Sequence, residues 1–138
     1  LSQILIEFLD KNKFPELISK YKKRALLIPV PMYDFRERER GFNQAALIGK
    51  AIAARLSLQF QGGVLKRIRN TKPQVELKGD ERRENVVNAF AIDYHEPITN
   101  NSILLVDDVW TTGSTLRVCA NIIKRRGAKK VWAMTVAR

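Results

Sequence analysis

Cysteine and histidine are nearly missing from this sequence; each occurs once, as Cys119 and His95. One cysteine excludes an intrachain disulfide and a cysteine-built zinc site. Cys119 falls on the apolar side of an expected helix and reads as a core residue. His95 falls in an expected connection, which argues against a catalytic or ligand role. No apolar run approaches the roughly 20 residues that cross a bilayer, and the first residues carry no signal-peptide pattern. Membrane insertion is therefore not expected, and a cytoplasmic setting is. Glycine is sparse, and the one Gly-Lys pair, Gly49-Lys50, has Gln44 where a P-loop needs its upstream glycine and Ala51 where it needs Ser or Thr. That excludes a P-loop ATPase. Acidic residues are outnumbered by basic ones, 14 against 25, for a formal charge of +11.

Such a surplus favours polyanionic partners, either nucleic acid or a phosphorylated substrate. The basic residues cluster at Lys20, Lys22, Lys23 and Arg24, at Lys66, Arg67 and Arg69, at Arg82 and Arg83, and from Lys124 to Lys130. The group at 124–126 also complements the dipole at the end of an expected helix. Arg36, Arg38 and Arg40 alternate with Glu37 and Glu39, so that stretch carries little net charge.

With 138 residues, 45% of them hydrophobic and 28% charged, the chain is the size of one globular domain with a real core. It is read as a single domain over 1–138, with 1–24 a helical N-terminal extension. It begins at Leu1 without an initiator methionine, which reads as a fragment or a processed form. Ile4, Leu5, Phe8 and Leu9 have helical spacing, and Leu17, Ile18 and Tyr21 suggest a second short helix. Ala25 to Val30 reads as a strand closed by Pro29-Val30-Pro31, and Gly41 to Leu56 as a helix. Gly62-Gly63 marks a turn, Val64 to Ile68 a strand, and 69–84 a mobile loop. Val86 to Ile92 is strand-like. A helix ending near Arg126 at Gly127 and a strand over 131–136 close the chain. Strand, helix and strand at that length form a βαβ crossover, so a parallel sheet is expected.

The most informative run is Ile103-Leu104-Leu105-Val106-Asp107-Asp108-Val109-Trp110-Thr111-Thr112-Gly113-Ser114-Thr115. Four aliphatic residues predict a buried strand, with two carboxylates where the chain leaves the sheet. A hydroxyl-rich loop then opens a helix. Carboxylates accept hydrogen bonds from sugar hydroxyls or help hold a divalent cation. Backbone N–H groups and hydroxyls at a helix N-terminus suit an anion. A sugar phosphate offers both features. The bland alternative is a turn at Asp107-Asp108 with Thr112 or Ser114 as helix cap. That alternative needs one such residue and leaves the rest of the loop unexplained.

This run resembles the phosphoribosyl diphosphate (PRPP) signature of type I phosphoribosyltransferases. Three further stretches resemble the ComF (GntX-like) family within that class. They are Ile28-Pro29-Val30-Pro31 with Arg40-Gly41-Phe42-Asn43-Gln44, then Leu65 to Thr71 with Gln74 and Leu77, then Arg82 to Val86 with Ala89-Phe90. The ending Ala133 to Arg138 also fits, so the resemblance spans about 26–138.

The resemblance implies an α/β fold of the type I phosphoribosyltransferase kind, a parallel sheet flanked by helices with a flexible loop over 69–84. It implies that Asp107 and Asp108 hold the ribose and that Thr111, Thr112, Gly113, Ser114 and Thr115 hold the 5′-phosphate. Mg²⁺ would arrive with PRPP, with Asp107 and Asp108 as candidate metal contacts. Pro31 and Met32 would face pyrophosphate. Arg69, Gln74, Arg82 and Arg83 would reach phosphates from the loop, or else form a solvated charged loop. Arg40, Asn43 and Gln44 fit ligand binding, although Asn43 and Gln44 also suit helix capping. Trp110 stacks on a base or packs against the sheet, with packing the simpler reading. The implied functions are phosphoribosyl transfer with pyrophosphate release and a role in competence, the uptake of single-stranded DNA, with competence-machinery proteins as partners. A PRPP-sensing or single-stranded-DNA-binding module without catalysis is the alternative. ComF relatives commonly carry an N-terminal zinc ribbon, which is absent from this sequence.

Overall fold

The computed structural model describes residues 14–32, 34–69, 89–93 and 98–137. The expected helix at 3–10, most of the loop at 69–84, the first residues of the strand-like stretch 86–92, and His95 lie outside them. The described chain runs α1 (Phe14–Ser19), a 3-10 turn (Lys22–Arg24), β1 (Ala25–Pro29), α2 (Asp34–Arg40) and α3 (Gln44–Leu56). It continues through β2 (Gln59–Phe60), β3 (Leu65–Arg67), β4 (Phe90–Ile92), β5 (Ser102–Val109), α4 (Ser114–Arg125) and β6 (Lys130–Ala137).

Four strands form one sheet in the order β2-β1-β5-β6, and every pairing is parallel. Aliphatic alternation along β1 and β5 explains its two covered faces. Leu26, Ile28, Ile103 and Leu105 point to one side and pack with Leu116, Cys119 and Ile123 of α4. Leu27, Leu104 and Val106 point to the other and meet Ile48, Ile52 and Leu56 of α3, with Ile18 of α1. Strands buried on both faces read as continuous hydrophobic runs, as Ala25–Ile28 and Ile103–Val106 do. Each fully buried Leu or Ile contributes about 1.5–3 kcal/mol, so these two runs anchor the domain. A second, antiparallel pair, β3 with β4, lies on the α4 side through Leu65 and Phe90.

Three sequence readings change, and one element is new. The strand expected to stop before the acid pair runs through it. Asp107 is registered with Thr135 and Val109 with Ala137, and the Trp110 N–H donates to the Ala137 carbonyl at 2.8 Å. Backbone pairing with β6 carries the strand past the point where its side chains turn polar. The helix expected from Gly41 begins at Gln44, because a separate helix, α2, precedes it and Gly41 ends that helix at φ +79°. The strand at Val64 to Ile68 narrows to β3 and pairs outside the parallel sheet. β2 went unforeseen; two residues leave no period to read. The closing βαβ unit and the Gly127 stop, at φ +94°, are as expected.

Candidate functional site

β1 and β5 lie side by side and both deliver their carboxyl ends to one edge of the sheet. In open α/β sheets that edge is where ligands bind. A cavity of about 210 Å³ opens there. Asp107, Asp108 and Thr115 line it from the β5–α4 segment; Pro31, Met32, Arg40 and Asn43 line it from the opposite wall. Arg67 of β3 completes it.

Asn43 explains how that wall is fixed. It is buried and caps α3, with its carboxamide oxygen accepting from the Ala46 N–H at 3.4 Å. Its Nδ2 donates to the Val30 carbonyl at 3.2 Å, while the Val30 N–H donates to the Val106 carbonyl at 2.8 Å. Val30 is thus tied to both α3 and β5, and Pro31 and Met32 emerge from an anchored point. Asn43 thus caps the helix and also lines the cavity.

Both acids of the pair are half-buried. Burial raises the Asp107 carboxyl from its ordinary 3.8 to about 7. The Asp108 backbone N–H, donating to Asp107 Oδ1 at 2.9 Å, opposes that rise; the Asp108 carboxyl adds to it, and the Arg67 charge opposes it. Desolvation is therefore the dominant cause. Two adjacent carboxylates in a cavity are a strongly acceptor-rich surface, suited to hydroxyls or a hard cation. Arg67 sits 5.5 Å over the Phe90 ring. It shares a strand face with the buried Leu65, whereas Lys66 points outward to Asp93 at 3.0 Å. In the sequence Arg67 belongs to a basic cluster and to the Leu65–Thr71 stretch that resembles the ComF family, but nothing there assigns it to the site. The signal available was its register, two residues from an apolar core position on a three-residue strand.

The loop after β5 is shaped by a close approach. Gly113 stands at the N-cap of α4 with φ +71° and offers no side-chain cap. A Cβ there would lie 2.5 and 2.7 Å from two atoms of the Trp110 ring. Trp110 itself is half-buried and packs against the core that Leu116 and Cys119 of α4 help form. The Thr112 and Ser114 hydroxyls lie 2.8 Å apart, and the Ser114 N–H reaches Thr112 Oγ1 at 3.4 Å. The first turn of α4 carries no acidic residue. A helix start of this kind presents N–H donors and a positive dipole end to an anion.

Not every expected residue reaches the cavity. From the hydroxyl loop only Thr115 lines it; Thr111 and Thr112 are exposed beside it, Gly113 is buried under Trp110, and Ser114 is half-buried. Gln44 opens α3 without lining the cavity, and Arg69 is exposed outside it. Gln74, Arg82 and Arg83 lie outside the described residues. Cys119 is buried in the core, and burial first, then the Asp107 charge, pushes its thiol up to about 12. It is a core residue, as its helical position implied. Among the described residues no group of three or more His, Cys, Asp or Glu could hold a metal ion. Nor is any helix among them long and apolar enough to cross a membrane.

Comparison with known proteins agrees with this architecture. The profile of the phosphoribosyl transferase domain matches residues 43–138. Competence protein F of Haemophilus influenzae is 34% identical over 113 residues, covering 81% of this chain and 49% of that protein. The DNA utilization protein YhgH of Escherichia coli O157:H7 is 36% identical over 110 residues, covering 78% and 48%. Competence protein ComFC of Bacillus subtilis is 32% identical over 136 residues, covering 93% and 51%. The chain thus spans about half the length of these relatives. In structure it resembles a purine phosphoribosyltransferase from Pyrococcus horikoshii, with a TM-score of 0.58 and 17% identity over 98% of this chain and 71% of that one. That likeness is one of fold. A domain profile over residues 43–138, and relatives named as competence or DNA utilization proteins over 78–93% of the chain, place it: the chain belongs to the phosphoribosyl transferase domain family.

Proposed function

We propose that this domain binds PRPP with Mg²⁺ in the cavity at the carboxyl ends of β1 and β5, and serves a protein that handles incoming DNA. One observation carries the reading: the acid pair and Thr115, at the start of α4, line the same cavity. Asp107 and Asp108 would accept from the ribose hydroxyls, and the α4 N-terminus with its hydroxyls would receive the 5′-phosphate. Arg40 and Arg67 would face the negative diphosphate, to which Arg is suited by its fork of donors. The donor set fits Mg²⁺, which takes one or two carboxylates and completes its shell with phosphate oxygens and water. Bound there, it would neutralise charge on the diphosphate as that group leaves.

The relatives' names, competence protein and DNA utilization protein, support a role in DNA uptake; a cytoplasmic setting and competence-machinery proteins as partners are part of the proposal. Turnover is part of the proposal: a phosphoribosyl group passes to a nucleophile and pyrophosphate departs. The test is PRPP binding by calorimetry with Mg²⁺, followed by pyrophosphate release with a panel of nucleobases. Binding with release supports an enzyme. Binding without release supports a PRPP sensor. No binding refutes both.

A further inference from the structure

The opposite edge of the sheet, where the strands begin, carries a second cavity of about 430 Å³. Its walls come from the turn before β1 and the segments leading into β5 and β6. Lys20, Lys23, Arg24 and Lys129 line it together with Tyr21 and Asn100. All four cations are exposed, and among the described residues no acidic residue lines the cavity. The backbone that carries them is pinned. The Arg24 N–H donates to the Tyr21 carbonyl at 2.9 Å, and the Lys129 N–H to the Asn101 carbonyl at 2.8 Å. Asn100 holds a left-handed turn at φ +63°, its N–H bonded to the Gly127 carbonyl at 2.9 Å.

Tyr21 holds a further cation at this edge. Lys130 donates to its hydroxyl at 2.6 Å and lies 4.6 Å over its ring, and Trp132 meets the ring at 5.2 Å. The Lys130 hydrogen bond and charge, with Lys20 and Lys129, draw the phenol below its usual value. The last turn of α4 brings Lys124 and Arg125 to the same edge, with Lys124 Nζ reaching the Lys129 carbonyl at 3.5 Å. The helix dipole accounts for those two, but not for Lys20, Lys23, Arg24 and Lys129.

Positive charge therefore extends beyond the cavity, along three separate segments. A single phosphate would need only a few convergent donors, whereas a spread of this kind matches phosphates repeated along a chain. An anionic membrane would be expected to meet an apolar wedge as well. Among the described residues the exposed large apolar side chains, Phe42, Leu47, Ile68 and Val109, all lie away from this cavity.

We propose that this basic cavity is where the chain contacts the phosphodiester backbone of single-stranded nucleic acid, at the end of the sheet away from the acid pair. The proposal rests on the DNA-handling reading above and adds to it a location. It separates the nucleic-acid contact from the phosphoribosyl cavity, so both ligands bind at once.

The test is fluorescence anisotropy of a labelled oligothymidylate at 50 and 200 mM salt. The variant is Lys20→Gln/Lys23→Gln/Lys129→Gln, with Arg38→Gln/Lys50→Gln/Arg117→Gln as a charge-matched control. Each phosphate contact on a single strand contributes about −0.7 to the slope of log K against log salt, so three lost contacts flatten it by about 2. The expected result is at least a tenfold loss of affinity at the lower salt for the first variant, with a flatter slope. The control should change by less than about threefold. Urea midpoints check that both variants fold; should the triple variant unfold, Lys23→Gln alone should flatten the slope by about 0.7. Wild-type binding with no change in the variant would overturn this location and leave the DNA reading standing. Absence of wild-type binding would overturn both. Displacement of the oligomer by millimolar inorganic phosphate, or loss in the variant of binding to phosphatidylglycerol vesicles but not to the oligomer, would also overturn it.

Discussion

Gly113→Ala tests the geometry on which the phosphate loop depends. The residue sits at φ +71°, where a side chain costs about 1–2 kcal/mol on steric grounds. The added methyl would also lie 2.5 and 2.7 Å from the Trp110 ring. Ordinary carbon–carbon contact is about 3.5–4.0 Å, so the ring must retreat by about 1 Å. Trp110 is packed on the core formed with Leu116 and Cys119, and displacing a packed ring costs about 1–3 kcal/mol. The two contributions together predict a loss of about 2–5 kcal/mol. A double-mutant cycle separates them. With Trp110→Ala in the background, the steric clash vanishes and only the backbone cost, about 1–2 kcal/mol, should remain. Urea unfolding of the four proteins supplies the coupling, expected at about 1–3 kcal/mol. Additive single effects, or a Gly113→Ala loss below about 1 kcal/mol, would refute the claim that a glycine is required for the ring to lie over this turn.

Other outcomes follow from the site. Asp107 has a folded-state value raised from 3.8 to about 7, so the folded protein holds this proton more tightly than the unfolded chain does. Its contribution to stability is fully present below pH 4 and is lost as pH rises through about 7, on the order of 2 kcal/mol between pH 5 and 8. Asp107→Asn should therefore gain stability relative to the wild type as pH rises, measured by urea midpoints in magnesium-free buffer; parallel pH curves for the two proteins would contradict this. Asn43→Ala removes the α3 cap and leaves the Val30 carbonyl without its side-chain donor. It should cost about 1–3 kcal/mol in urea unfolding, and a loss below about 0.5 kcal/mol would show that neither bond matters.

The central layer of this fold was legible because its signals are dense. Ala25 to Val30 and Ile103 to Val106 are uninterrupted aliphatic runs, and α4 has a clear apolar stripe ending at a glycine. α2 was hidden because its sequence, DFRERER, shows alternating charge and no helical apolar period. The extension of β5 through Asp107 was hidden because strand ends follow backbone pairing with a neighbour, here β6, which one segment's side chains do not reveal. The acid pair was legible as chemistry. Its position inside a paired strand was not. Arg67 needed the tertiary arrangement: β3 is three residues long, and only its pairing with Phe90–Ile92 turns Arg67 toward the cavity.

The most direct test of the central claim is PRPP titration, in the presence of Mg²⁺, of this chain and of its Asp107→Ala/Asp108→Ala variant. The account predicts binding by the wild type and at least a hundredfold loss in the variant, about 2.7 kcal/mol, with both proteins folded. Equal affinity in the two proteins would contradict the assignment of the acid pair to the ribose.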